Sequence, residues 1–443
     1  MTTTEFKPTP DTSFHGPVLS FEFPGMRIGV AEYAEGPTGT TVLHFPERAK
    51  AAVDVRGGFP GTFNVDMLRM GYDTRVLDAV VISGGSIYGL EAASGVAHAL
   101  KDDGYRSGDI TNVGFVSGAI IFDLGDRRLN ELCPDAALGA AALRNAKEGH
   151  FPLGAHGAGR MSVHGMYFGT PLHSGQGGAF RQIGQTKIAA FAVVNPVGLV
   201  VDRKGGIANG GQALPDGIST IADLLSGMPY ERDDLGFVKS QTWSGGRVNP
   251  SNTTISVVVT NRKLSYASIQ RLAIQVQTSM GRAIQPLATG WDGDVLFAVS
   301  TDEVDDPSVH EMEIGTIASE VMWDALLTIN EPRVVEPLGH ATASQVEKID
   351  GRFIFDKGFE LTIRRNSERL TLEVTGERAI FGLPSGHKLE ARLEPNGRFI
   401  VEGSPMRPLR DGAFVLGDNG EIEHVVVNLG TWQQTGIQQK TTG

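Results

Sequence analysis

A side-chain hydroxyl attacks an amide at neutral pH only with a base beside it. A threonine freed at a chain terminus can use its own α-amine, whose pKa of about 7.7–8.0 suits that task. Such a residue is made by cutting the bond before it, so it needs a pliable loop on one side and a strand on the other that holds it after the cut. Ser251-Asn252-Thr253-Thr254-Ile255 has this form, preceded by glycine- and polar-rich sequence from Ser244 to Pro250. Thr253 is the candidate nucleophile, and the bond between Asn252 and Thr253 is the candidate autocleavage site. An ordinary strand opening on two threonines would look the same, and the triplet also fits a glycosylation sequon. Asp292-Gly293-Asp294 follows after the next helical segment and directly precedes another strand. Its two carboxylates could fold back beside Thr253, one bonding the hydroxyl or ammonium group and the other fixing the first. A surface Asp-Gly turn is the plainer alternative.

Other reactive side chains give less. His150, His156, His164 and His173 fall in glycine-rich sequence at spacings that match no metal motif, so they read as solvated loop residues. Cys133 is the sole cysteine, which excludes an internal disulfide and any multi-cysteine metal site and fits a reducing compartment. Glu131-Leu132-Cys133-Pro134 reads as a loop entering a helix, with the thiol as a small half-buried group. Threonine chemistry of this kind needs no metal or organic cofactor.

These residues require a layered α/β scaffold. Thr254 to Thr260 is a β-branched run expected as a central strand, and Val295 to Ser300 a second. Helical spacing covers Ser265 to Ile284 and Ser308 to Ile329. Asp78 to Ser83 reads as a buried strand, followed after Gly84-Gly85 by a helix from Ser86 to Leu100 with Ser86 as its cap. A further helix is expected from Pro134 to Lys147, and strands from Lys187 to Val194 and Val197 to Val201. Beyond about residue 345 the texture changes to short alternating strands with turns such as Asp418-Asn419-Gly420, enough for a small antiparallel β-barrel joined through a linker from Pro332 to Ser344. Strands are expected there at Arg352 to Phe355, Glu360 to Arg364, Leu370 to Thr375, Phe399 to Glu402 and Glu423 to Leu429.

Taken together, Gly58-Phe59-Pro60-Gly61-Thr62, Ser83-Gly84-Gly85-Ser86-Ile87-Tyr88-Gly89-Leu90, Ile121-Phe122-Asp123-Leu124, Gly157-Ala158-Gly159, Val193-Val194-Asn195, Asn252-Thr253-Thr254-Ile255 and Trp291 before Asp292-Gly293-Asp294 resemble the DmpA/NylC-type peptidases. That family includes L-aminopeptidase D-esterases, β-peptidyl aminopeptidases and nylon-oligomer hydrolases, and the resemblance covers about Gly29 to Ile329. It implies a four-layer αββα sandwich over residues 1–335, cut into 1–252 and 253 onward, with αβ units that self-associate, a tetramer being expected. It implies Thr253 as nucleophile, Asn195 as the amide that stabilises the oxyanion, Asp292 and Asp294 as the acidic pair, and Tyr88, with Gly85 and Ser86, as substrate-lining residues. Two positions depart from the pattern. The lysine usual after the Gly-Ala-Gly loop is missing from Arg160-Met161-Ser162-Val163-His164-Gly165-Met166, where His164 is the best-placed substitute, and Asn64 stands where a glutamate is usual. Residues 345–443 resemble the lipocalin-like β domain found behind some serine β-lactamase-like hydrolases.

The formal charge of −12, with no locally basic stretch, makes nucleic acid an unsuitable partner. Met1 to Pro17 is polar, and the apolar run from Ile188 to Val201 is broken by Asn195-Pro196 and shorter than the roughly 18 residues of a membrane span, so a cytoplasmic protein with no membrane contact is expected. The expected activity is hydrolysis of small amides or peptides. An acyltransferase with the same threonine, or a binding protein that uses the β tail, are the alternatives.

Overall fold

The β-branched run that opens at Thr253 is buried along its whole length, and the first part of the molecule is arranged around it. The computed structural model describes residues 8–34, 36–69, 71, 75–124, 132–168, 172–212, 214, 216–226, 252–331, 341–346, 349–356, 358–367, 369–377, 385–402, 409–429 and 433–439. The loop from 244 to 251 and most of the linker, 332–340, lie outside the described residues.

In chain order the first part carries β1 (Arg27–Tyr33), β2 (Thr38–Val55), β3 (Val76–Ser83), α1 (Glu91–Asp102), β4 (Val116–Ile120), α2 (Ala136–Arg144), β5 (Gln176–Ile183), β6 (Thr186–Asn195), β7 (Thr253–Arg262), α3 (Tyr266–Met280), β8 (Val295–Val304) and α4 (Glu311–Leu326). A nine-stranded sheet runs β5-β6-β7-β8-β2-β3-β4 and ends on the short strand Thr62–Phe63, with β1 beside β2. The pairs β7/β8 and β3/β4 are parallel. β2 belongs to both halves of the sheet: Thr38 to His44 pair with β1, its register against β3 slips between His44 and Ala49, and Lys50 to Val55 pair with β8.

Strand alternation then builds layers. Leu43, Phe45, Ala51 and Val53 of β2 face one core together with Val80 and Ile82 of β3, Phe191 and Val193 of β6, and Ile255, Val257 and Val259 of β7. The intervening residues face the other way: Ala190, Val258 and Ala298 pack on α3 and α4, and Val42, Ala79 and Val81 on α1 and α2. The result is helix, sheet, sheet, helix, a four-layer αββα sandwich in which each fully buried Val, Leu, Ile or Phe contributes about 1.5–3 kcal/mol.

Helix ends follow local chemistry. Asp135 caps α2 by accepting from the Leu138 amide at 2.9 Å and takes the Tyr33 hydroxyl at 2.7 Å, Ser265 caps α3, and His310 with Glu313 forms a capping box on α4. One expectation fails. Ser86 does not cap a helix; Ser86–Leu90 is a 3-10 turn, and the α-helix starts at Glu91. Gly85 and Ser86 both lie at positive φ, +81° and +56°, because the chain leaves β3 through a reversal whose amides are taken by Asp123 Oδ1 (2.7 Å, from Gly85) and Ile121 O (3.0 Å, from Ser86).

The C-terminal part is a closed eight-stranded antiparallel barrel: β9 (Asp350–Asp356), β10 (Phe359–Asn366), β11 (Arg369–Val374), β12 (Lys388–Leu393), β13 (Arg398–Val401), β14 (Asp411–Leu416), β15 (Ile422–Val427) and β16 (Gln434–Gln438). Its interior is filled by alternate residues, among them Phe353, Leu361, Ile363, Leu372, Phe399 and Phe414. The Phe414 ring lies 6.0 Å from that of Phe353 and 5.5 Å from that of Phe399.

Candidate active site

Thr253 is the first residue of β7 and pairs directly with Asn195, the last residue of β6. On its other side Asn252 bridges in parallel to Asp292, just before β8 begins. One end of three neighbouring strands therefore brings together Asn195, Asn252, Thr253, Asp292 and Asp294, which the sequence spreads across about a hundred positions. Thr253 is buried. Its Oγ1 donates to the carbonyl oxygen of Asn252 at 2.5 Å, and the Gly293 amide donates to the same oxygen at 3.0 Å. The hydroxyl thus sits beside the carbonyl of the bond preceding it.

Both carboxylates are buried and held by main-chain donors. Asp292 accepts from the Val197 amide (3.0 Å), the Thr289 amide (2.9 Å) and the Thr289 hydroxyl (2.7 Å). Asp294 accepts from the amides of Thr254 (2.7 Å) and Ala288 (2.8 Å). Burial pushes the Asp292 carboxyl above its ordinary range against these bonds, and burial followed by the charge of Asp292 pushes Asp294 up to about 7. Neither carboxylate takes the Thr253 hydroxyl, which is committed to the Asn252 carbonyl.

The loop Arg56–Phe59 laces onto the same segment through the Gly57 amide to Asp294 O (3.2 Å), Gly58 to Thr289 O (3.1 Å) and Phe59 to Asp292 O (2.8 Å). Glycine is required at 57 and 58, where a Cβ would meet main-chain atoms of Asp294 at 2.2 Å and of Gly290 at 2.6 Å.

Asn195 presents Oδ1 to the Val163 amide and Nδ2 to Phe122 O, both at 3.0 Å. Gly85, Ser86 and Asn195 are thereby pinned to three consecutive residues, 121 to 123, which ties the Gly85–Leu90 turn to the nucleophile's strand end. Gly85 and Ser86 are enclosed in that turn, whereas Tyr88 is 66% exposed.

Three of the four histidines are not solvated, and His150 is half-buried. His156, His164 and His173 are buried, and burial drives the pKa of both His164 and His173 down to about 3. His164 Nδ1 accepts from the Val200 amide at 3.1 Å, so the ring is neutral and does not supply the charge of a missing lysine. The segment's buried cation is instead Arg160, 1% exposed, with Nε 3.0 Å from Glu32 Oε2 and Nη2 donating to Gln433 O of the barrel at 3.1 Å. Glu32 also accepts from the Gly157 amide at 2.8 Å. Arg160 has no periodicity or motif that marks it in the sequence, since both partners are distant along the chain. Among the described residues no three His, Cys, Asp or Glu side chains group as metal ligands, and no helix is long and apolar enough to cross a membrane.

The model of Peptidase family S58 matches residues 22–349. A 6-aminohexanoate-oligomer endohydrolase of Kocuria sp. (strain KY2) is 42% identical over 321 residues, which cover 70% of this chain and 85% of that one. An uncharacterized aminopeptidase of Mycobacterium leprae is 34% identical over 288 residues, 62% of this chain and 74% of that one. Among solved structures, the L-aminopeptidase D-Ala-esterase/amidase of Ochrobactrum anthropi aligns with a TM-score of 0.49 at 17% identity, over 74% of this chain and 91% of that one. With a sandwich of this architecture and a family match over most of its length, the chain belongs to Peptidase family S58 and is a hydrolase of amide or peptide bonds.

Proposed function

We propose that the protein cuts itself between Asn252 and Thr253 and then uses Thr253 as an N-terminal nucleophile on small linear amides, of the kind named for its 6-aminohexanoate-oligomer relatives. The observation that carries this reading is the 2.5 Å contact between Thr253 Oγ1 and the Asn252 carbonyl, on an oxygen already held by the Gly293 amide. In self-cleavage Oγ1 attacks the Asn252 carbonyl carbon through a five-membered ring. The hydroxyl proton passes to a base and on to the Thr253 nitrogen, the C–N bond breaks, and an ester remains. Water then cleaves the ester to give the Asn252 carboxylate and a free Thr253 amine.

In turnover that amine takes the proton of Oγ1 as it attacks a substrate amide, the leaving amine departs with a proton, and water resolves the acyl-enzyme. Asn195, paired with Thr253 where the two strands meet, is the proposed oxyanion donor of turnover. The division of labour proposed is catalysis within residues 1–335 and attachment or assembly by the barrel within 345–443. Self-association of the cut units and a cytoplasmic location belong to the same proposal.

Intact-mass measurement of the denatured wild-type protein should show two fragments meeting at Asn252 and Thr253. Thr253→Ala should give one whole chain with no amidase activity; turnover by that variant would refute the nucleophile.

A further inference from the structure

The carbonyl that must be attacked during self-cleavage is already in contact with a donor besides the Thr253 hydroxyl. Asn195 Nδ2 and Oδ1 are engaged with Phe122 O and the Val163 amide. The Asn252 carbonyl oxygen accepts from the Gly293 N–H at 3.0 Å. We propose that the main-chain amide of Gly293 is the oxyanion donor of the self-cleavage step. The assignment rests on the proposed cut at Asn252 and Thr253.

Three observations carry it. The donor already stands at hydrogen-bond distance, 3.0 Å, from the oxygen on which charge will develop. The bond extends the parallel pairing of β7 with β8, through the bridge between Asn252 and Asp292, so the fold itself fixes the donor and no reorganisation is needed as charge develops. And the residue has to be glycine: a Cβ at 293 would stand 2.8 Å from Thr253 Oγ1, 2.9 Å from Phe59 O and 3.1 Å from Thr253 Cγ2, displacing the attacking oxygen.

An ordinary sheet bond would hold a spectator carbonyl. This one holds the carbonyl whose carbon is five-ring distance from the hydroxyl. As Oγ1 bonds to that carbon, the carbonyl electron pair moves onto the oxygen and the N–H···O contact becomes charge-assisted. When the C–N bond breaks, the pair returns and the ester carbonyl re-forms.

The test removes the N–H without adding bulk, and it also weakens the Asp292 carbonyl as acceptor of the Phe59 amide. Glycolic acid placed at 293 by ribosomal incorporation in the full-length chain replaces the amide with an ester of the same size, and the rate at which the fragment beginning at Thr253 forms is read by intact mass. The expected result is cutting slowed by about 10²–10³. A matched chain with the α-hydroxy analogue of leucine at Leu296, also inside the sheet, should cut within a few-fold of wild type. Cutting at the wild-type rate by the glycolate chain overturns the assignment, as does equal slowing by the Leu296 ester, which would mean that any lost sheet bond has the same effect. A wild-type chain that never cuts overturns the proposed function as well, and is distinguished by the single full-length mass it gives without substitution.

Discussion

At the scale of single residues, the central difficulty of the proposed self-cleavage is the base, because Thr253 has no free amine until the bond is cut. The ionisable groups fixed at this strand end are Asp292 and Asp294, and burial raises both. A carboxyl titrating near 7 is half ionised at neutral pH and strong enough to accept a hydroxyl proton in its charged form. Since the ionised form is the active one, the cutting rate of freshly made precursor should rise with pH through about 7 and level off above it, the pair titrating as a unit. Rates followed by gel or mass between pH 5 and 9 check this, and a flat profile would remove the carboxylates from the mechanism. These residues were legible in the sequence: Asn-Thr-Thr opening a β-branched run, and Asp-Gly-Asp just before another. The Gly293 amide was not, because a main-chain group has no residue code, and neither was Arg160, whose partners Glu32 and Gln433 lie far away in the chain. The histidines misled for a related reason: glycine-rich sequence suggested solvent, whereas His156, His164 and His173 are buried and their neighbours are held by bonds such as Val163 to Asn195 and Gly165 to Gly198.

At the scale of elements, the strands that were readable are those with unbroken buried runs, β-branched in β7 and mixed apolar in β8 and β3. β2 was missed although it is the longest, since Pro46, Glu47 and Arg48 interrupt its pattern where the register slips and Arg48 turns to positive φ. In the barrel, β12 alternates with charged outward residues, and β16 buries Gln434 while exposing Ile437, so neither announces itself alone; both are strands because neighbours on both sides supply partners. The loop Arg56–Phe59 shows the converse, a short motif with a strict geometric reason. Gly58→Ala would set a Cβ 2.6 Å from Gly290 Cα and O, main-chain atoms that cannot yield independently of the Asp292 segment. The expected cost is about 1–3 kcal/mol, with slower self-cleavage because the loop carries the segment that positions Gly293. Denaturant unfolding together with the cutting rate measures both; unchanged stability and rate would show that the loop adapts.

For the whole molecule, the buried Glu32–Arg160 pair connects the sandwich to the barrel through Gln433. Removing one member strands the other, so Arg160→Met should destabilise by about 3–5 kcal/mol, and the double variant Glu32→Gln/Arg160→Met by less. Unfolding curves of the three chains compare them, and an additive double variant would mean the two charges do not act as a pair. A second global effect comes from His164 and His173, which burial holds neutral with pKa values near 3. The unfolded chain takes up protons below about 6.5 that the folded one refuses, so stability is fully present above that pH and is lost as pH falls toward 3. At pH 5.5 each ring costs about 1.4 kcal/mol, and melts at pH 7.5 and 5.5 should differ accordingly, the difference shrinking in His164→Asn.

The order of strands has one more consequence. β7 and β8 stand between β6 on one side and β2 on the other, so a chain severed before Thr253 becomes two polypeptides woven through a single sheet. They cannot part without dismantling it, but once apart they must find each other again in solution. Renaturation of the severed protein then becomes second order in concentration, whereas the unsevered Thr253→Ala chain refolds by itself at any dilution. Durability after the cut is governed by how slowly the sheet opens, and a molecule that has opened in dilute solution is in practice lost.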